Sequence, residues 1–279
     1  MVHRLILTLL AGFLIAESSP AQTSAPRFHW QAGQVLIYRV EQVTSAAEVV
    51  GDNKVQTKTK LNLTKKWQVK SVDKSGVATL EMSLTLLRIE NTKPDGEPLI
   101  FDSANPDKSN PEMSKELSKY VDKPLAALRI DSQGKVVEVK ESKFGPPSRF
   151  ENELPFVLTL PDSALKEGLS WERAYTLTVA PPQGAGEKYN ATQKFVCKSV
   201  AADAASITMT TGVKDLPEAL LDQVPLMQLQ PQGEVVFDVK KGLMRTARLT
   251  IEKELKGHQG EGSSYRFQSA YTEEYAGDK

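Results

Sequence analysis

The sequence predicts a mainly β, antiparallel fold of two duplicated halves, about five strands and a short helix in each, forming a curved sheet, half-barrel or barrel. Three observations carry this. Asn62 to Val72 reads NLTKKWQVKSV, and Asn190 to Val200, 128 residues later, reads NATQKFVCKSV, with six of eleven residues shared and Trp67 replaced by Phe195; self-similarity at a fixed offset marks a repeated unit. Around both copies, apolar and polar residues alternate with the period of two that a half-buried strand requires. Gly-containing turn signals, Asp131-Ser132-Gln133-Gly134 and Asp238 to Gly242 among them, punctuate the alternating runs.

The chain opens with polar His3-Arg4, an apolar run from Leu5 to Ala16, and small residues at Ser19-Pro20-Ala21. This is the pattern of an export signal over residues 1–21, with a mature start at Gln22. The run has twelve residues, whereas a bilayer span needs about twenty, so an exported periplasmic or extracellular product without a transmembrane segment is expected. Cys197 is the sole cysteine, so no intrachain disulfide can form and stability has to come from a core.

The first half covers residues 22–143. Trp30 to Val43 has the mixed pattern of a strand partly covered on both faces. From Thr59, Leu61, Leu63, Trp67 and Val69 share one face and Lys58, Lys60, Lys66 and Lys70 the other; Lys65 alone breaks the inward row. After the turn at Asp73 to Gly76, Ala78, Leu80, Met82, Leu84 and Leu86 form the facing row. Pro94-Asp95-Gly96 signals a turn, and the Asn-, Asp- and Ser-rich stretch Ser103 to Pro111 a loop. Asn110 then caps a helix whose apolar residues are Met113, Leu117, Tyr120 and Val121. Leu125 to Ile130 and Lys135 to Lys140 close the half as a hairpin.

Residues 144–162 join the halves. They carry four prolines but also Phe150, Leu154, Phe156, Leu158 and Leu160, too much apolar content for a free linker, so the connector is expected to pack on the sheet. The second half, residues 163–279, repeats the order: Gly168 to Val179, Tyr189 to Val200, Ile207 and Met209, a short helix at Pro217 to Val224, a hairpin of Gly233 to Val239 and Leu243 to Leu255, and a tip at Gly257 to Ser264. A final strand places Tyr265, Phe267, Tyr271 and Tyr275 on one side.

The chemistry the sequence offers is sparse. Only His29 and His258 remain after export and no G-x-S-x-G elbow exists, which leaves a Ser-His or Cys-His nucleophile without its parts. Two separated histidines give no zinc site, and the oxygen ligands of Asp102 to Glu112 miss the calcium-loop spacing and its central glycine. No cofactor is implied. Lys plus Arg equals Asp plus Glu at 35 each, so no global charge favours nucleic acid; the lysines of the first hairpin read as a solvated face that discourages edge pairing.

The inward rows hold the candidate ligand-lining residues: Leu63, Trp67, Val69, Leu80, Met82, Phe195, Cys197 and Met209. They suit either a filled core or the wall of an apolar cavity, as curved antiparallel sheets can enclose ligands. With Leu160-Pro161 and Gly168-Leu169-Ser170-Trp171 opening the second half, the chain resembles a group of uncharacterised exported bacterial proteins built of two similar β-rich halves. More distantly, its strand order looks like the half-barrel of periplasmic lipoprotein carriers. Neither resemblance implies a catalytic residue, and fold alone does not fix function. The expectation is a non-enzymatic exported protein that binds an apolar or amphipathic ligand or an envelope component. A structural or protein-interaction module docking on a cell-envelope protein is the alternative, and a carboxylate-dependent hydrolase the third reading.

Overall fold

A computed structural model describes residues 24–92, 96–143, 145–151, 154–181 and 183–278. The expected export signal over residues 1–21 and the expected mature start at Gln22, the Pro94-Asp95 part of the expected turn, and Phe144 at the head of the connector lie outside the described residues. The first half consists of β1 (Val35–Val50), β2 (Asn53–Val72), β3 (Ala78–Thr92), β4 (Leu99–Asp102), α1 (Pro111–Leu117), β5 (Pro124–Ile130) and β6 (Val136–Ser142). The second consists of β7 (Ser170–Val179), β8 (Glu187–Val200), β9 (Ala204–Val213), α2 (Leu220–Met227), β10 (Gln232–Asp238), β11 (Leu243–Lys256) and β12 (Ser264–Asp278). The twelve strands are antiparallel in one curved, unclosed sheet of order β6-β5-β3-β2-β1-β12-β11-β10-β9-β8-β7, with β4 paired to β3.

The two halves use the same local devices at matching places. The β2–β3 register slips between Val69 and Ser71, and the β8–β9 register between Cys197 and Ser199. Gly33 N–H donates to the Val69 carbonyl and Val69 N–H to that of Gln34; Gly168, Cys197 and Leu169 repeat the exchange. Each bulge leaves one lysine, Lys70 or Lys198, outside the ladder and twists the strand over the core. The closing turns match too: Asp131 Oδ1 accepts from the Gln133 and Lys135 amides, and Asp238 Oδ1 from those of Lys240 and Lys241.

A single large core fills the inner face at one end of the sheet. Trp67, Val69, Leu80, Leu128 and Ile130 from the first half meet Phe195, Cys197, Ile207, Phe237 and Met244 from the second, all without measurable exposure. Between them lies the connector, burying Phe150, Phe156 and Leu158 completely and Leu154, Val157 and Leu160 almost completely. Each such side chain contributes roughly 1.5–3 kcal/mol of transfer free energy, enough to fix a segment whose many prolines keep it out of the sheet. The turn Pro147–Glu151 packs against both β6 and β7, filling the gap between the sheet edges without ladder bonds.

The N-terminal segment sews the same end shut. Phe28 N–H donates to Ser132 and His29 N–H to Gly242, one carbonyl from each closing turn. The Phe28 ring stacks on Trp30 at 5.2 Å and meets the Phe237 ring edge-on at 5.1 Å. Gly134 holds φ of +88° beneath that ring, where a Cβ would stand 2.7 Å from the Leu158 carbonyl oxygen, so the position tolerates no side chain.

Some expectations need correction. The alternation places Leu86 inward, yet it is exposed while Leu87 is buried, because a register shift opposite Thr64 and Lys65 inserts Thr85 and flips the later residues of β3. The β4 strand is absent from the sequence reading; four residues between two loops are too few to show a period. The second helix begins at Leu220, not Pro217, and runs through Pro225 to bury Leu226 and Met227. The Asn110 cap holds: its Oδ1 accepts from Glu112 N–H at 3.0 Å and Met113 N–H at 3.1 Å.

Candidate ligand-binding face

The inner faces of β2 and β8 lead from the core toward the other end of the sheet. Along β2 the inward residues are Val69, Trp67, Lys65, Leu63 and Leu61, and along β8 they are Cys197, Phe195, Gln193 and Ala191. Trp67, Val69, Leu80, Phe195, Cys197 and Met209 all sit in the closed core. Trp67 meets the connector's Phe156 edge-on at 4.8 Å, and burial pushes the Cys197 thiol above its usual range, which keeps it protonated. Of the candidate lining residues, Leu63 and Met82 border a depression.

Two depressions open where the rows leave the core, one in each half. The first, about 190 Å³, has a floor of Leu61, Leu63, Met82, Leu84 and Ile89 from β2 and β3; Leu117 at the end of α1 and Tyr120 cover it. Its charged lining groups are Lys65 and Arg149. The second, about 230 Å³, lies between β7, β8, β11, β12 and β1 and is bounded by Gln228, Leu229 and Pro231 just after α2. Its apolar wall includes Leu177, Leu249 and Ile251, and its polar groups, Gln42, Tyr175, Gln193, Ser269 and Tyr271, are uncharged side chains. Each is smaller than the roughly 300–1,000 Å³ that encloses a whole drug-sized ligand. Each suits one chain or ring of a larger molecule.

A buried polar cluster stands between them. Lys65 Nζ lies 3.5 Å from Glu273 Oε1 and donates to the Leu154 carbonyl at 3.2 Å and to Tyr271 Oη at 3.4 Å; Tyr271 Oη donates to Glu273 Oε2 at 2.6 Å. Glu273 is fully buried and Lys65 nearly so, so the ion pair bridges β2 and β12 across β1 in a low-dielectric setting. Burial, reinforced by Glu273, raises the Tyr38 phenol well above its ordinary value, and its hydroxyl donates to the Met244 carbonyl at 3.1 Å. Lys65 borders the first depression, Tyr271 and Leu154 the second. The cluster and Leu154 therefore form the wall dividing them.

Sequence reading missed Glu273, Gln193 and Arg149. One signal was present: Lys65 interrupts an otherwise apolar row, and a buried lysine demands a carboxylate partner. At the same place in the second copy, 128 residues on, stands Gln193, which is fully buried and accepts from Arg173 Nε at 2.9 Å. Glu273 was hidden inside the row of Tyr271 and Tyr275, where alternation places it inward but composition suggests an exposed acid.

Elsewhere the side chains have local partners. His258 Nε2 lies 3.0 Å from Glu48 Oε1. Asp102 organises its loop, accepting from Ala104 N–H, Asn105 Nδ2 and Arg88 Nη1. On the basic hairpin Lys60 pairs with Glu90 and Lys70 with Glu81. Among the described residues no cluster of three or more His, Cys, Asp or Glu side chains is placed to hold a metal ion, and no helix is long and apolar enough to cross a membrane.

No family model matches the chain and no curated protein matches it in sequence, so the resemblance to exported two-half proteins stands on its motifs alone. Among solved structures, the chain is similar to one titled as lipid-protein interactions in lipovitellin, with 12% identity over 90% of this chain and a TM-score of 0.47. The chain spans 26% of that lipovitellin chain. An outer membrane channel from Pseudomonas putida F1 is similar over 93% of this chain and 100% of its own, with 6% identity and a TM-score of 0.26. Neither TM-score is high enough to establish a shared fold.

Proposed function

We propose that this is an exported, non-enzymatic protein that binds an apolar or amphipathic ligand on the inner face of its curved sheet. The observation that carries the reading is the pair of apolar depressions at corresponding levels of the two halves, each beside a short helical segment and just above a core that is already filled. A core packed to interior density needs no second set of inward leucines half open to solvent; Leu61, Leu63 and Leu84 suit contact with something other than the chain itself. The dividing wall makes two short slots of what would otherwise be one groove, which favours a ligand with more than one apolar arm or with a slender chain.

The test is native mass spectrometry and lipid extraction on protein purified without detergent from its own host, followed by displacement of a fluorescent fatty-acid probe. Co-purifying apolar material, or saturable probe uptake, is the expected result. A clean apo mass with no probe uptake would overturn it. A second reading rests on Leu216, Leu220 and Leu221, large apolar side chains exposed around the start of α2. Exposed apolar patches mark interaction surfaces, and this one suits docking on a cell-envelope protein. Loss of a co-purifying partner on Leu220→Ser and Leu221→Ser replacement would support it.

A further inference from the structure

The sheet order ends at β6 and β7, and the chain treats the two ends differently. β6 is seven residues long, slips register twice against β5 and carries Glu138, Lys140 and Glu141, the bulges and charges that blunt an edge. β7 is built otherwise. Its ten residues pair with β8 in unbroken register and include no proline or lysine, and among the described residues no strand lies on its other side. Asn190 of β8 accepts from Lys214 on the side away from β7, so its neighbours Tyr189 and Ala191 turn their backbone toward Leu177 and Tyr175. Ser170, Glu172, Ala174, Thr176 and Thr178 therefore turn their backbone groups outward, with small or polar side chains on the outer face of the sheet. We infer that this edge is a homodimer interface: the β7 strands of two copies pair antiparallel about a two-fold axis at Thr176, and one sheet runs through both.

The register follows from what β7 carries. A two-fold axis perpendicular to the sheet sets residues of one face opposite each other, so an axis at Glu172 or Arg173 would bring like charges together, which is unfavourable. The first part of β7 is also engaged: Trp171 Nε1 donates to the Thr159 carbonyl at 2.6 Å, and the turn Pro147–Glu151 packs against the strand. An axis at Thr176 avoids both. Thr176 then meets the partner's Thr176, Ala174 meets the partner's Thr178, and Arg173 falls opposite the partner's Val179, with about six backbone hydrogen bonds in the new ladder. This match of the edge with itself, free of like-charge contacts, selects a second copy as the occupant. On the inner face Tyr175 and Leu177, which line the second depression, stand opposite the partner's Leu177 and Tyr175. The partner thereby adds to the rim of that depression, and the second slots of the two copies lie side by side.

The experiment is sedimentation equilibrium of the protein purified without detergent, which is expected to show a reversible monomer–dimer equilibrium. Because Thr176 meets itself across the axis, Thr176→Lys and Thr176→Glu should each weaken the dimer about fivefold or more through like-charge contact, and an equimolar mixture of the two should restore association. Thr176→Ser should leave the dimer unchanged. Thr176 is exposed, so circular dichroism should show both charged variants folded. If either fails to fold, Ala174→Lys combined with Thr178→Lys puts like charges at the two flanking pairs and should weaken the dimer in the same way. A parent protein that stays monomeric at its highest soluble concentration would overturn the inference. So would a dimer indifferent to these replacements, since its interface must then lie elsewhere. Weakening by each charge without recovery in the mixture would overturn the axis at Thr176. None of these outcomes bears on the ligand-binding reading, which lipid extraction tests separately.

Discussion

Trp67 gives the sharpest test of how the core is built. It is fully buried, packs edge-on against Phe156 at 4.8 Å, and its indole N–H finds no acceptor among the described residues. An aromatic side chain of this size buries about 150–250 Å², which at about 25 cal/mol per Å² is roughly 4–6 kcal/mol. Measured aromatic-to-alanine losses of about 3–5 kcal/mol agree. Trp67→Ala should therefore lower stability by about 3–5 kcal/mol in urea unfolding followed by circular dichroism.

Trp67→Phe has a different balance. It loses the packing of the second ring but also removes a buried, unpaired donor, whose desolvation costs about 1–3 kcal/mol. The two effects oppose, so the variant should lose clearly less than Trp67→Ala, under about 3 kcal/mol. The second half already carries this solution, Phe195, at the corresponding position. The reverse change, Phe195→Trp, adds volume to a filled core and should cost about 1–3 kcal/mol. The reasoning is refuted if Trp67→Phe is as damaging as Trp67→Ala, because the indole N–H must then be making a bond worth keeping.

Three further outcomes follow from the polar and turn positions. Lys65→Met strands Glu273 in the core and should cost about 3–5 kcal/mol, whereas the double change with Glu273→Gln should recover much of it; additive losses in a double-mutant cycle would show that the pair is not coupled. At Asp238, burial opposes ionisation, but the Lys241 amide and the Arg245 guanidinium outweigh it and hold the carboxyl below 3.8. Its stabilisation is thus complete above the unfolded value near pH ~4 and is lost as pH falls through the lower folded value. Asp238→Asn should cost about 1.5–3 kcal/mol at neutral pH, and the gap to the parent in urea midpoint should shrink on acidification; a gap independent of pH would count against the ion pair. Phe28→Ala removes the ring that ties the closing turn of each half and should cost about 3 kcal/mol or more, read as a drop in melting temperature.

The legible part of the fold was whatever alternates. Both copies of the repeated segment, Asn62 to Val72 and Asn190 to Val200, the facing rows through Met82 and Met209, the Asn110 cap and the closing turns were visible because each is a local pattern with a local cause. What failed was non-local or too short. The flip from Leu86 to Leu87 depends on one inserted residue, Thr85, that only the partner strand reveals. The order of the sheet depends on β12, which pairs with β1 at the opposite end of the chain. The site was legible only as a choice between core and cavity. That choice is settled residue by residue by the connector, whose Phe156 covers Trp67 and leaves Leu63 open.

The places where the pattern breaks are informative together. Lys65, Gln193 and Glu273 each put a polar side chain on an apolar inward row, each is buried, and two of them, Lys65 and Gln193, occupy the same level of corresponding strands. A chain selected only for stability would fill that level with leucine, since apolar replacement of a buried ion pair is often neutral or favourable. Local rules are broken where function or strain demands it, and no backbone strain accompanies these three: none has a positive φ. The polar level divides filled core from open slot. Replacing the pair while keeping the fold, as Lys65→Met with Glu273→Leu should do, predicts a protein about as stable as the parent in urea unfolding. If that variant instead loses several kcal/mol, the pair contributes more than its desolvation costs, and this buried polar level is there for stability.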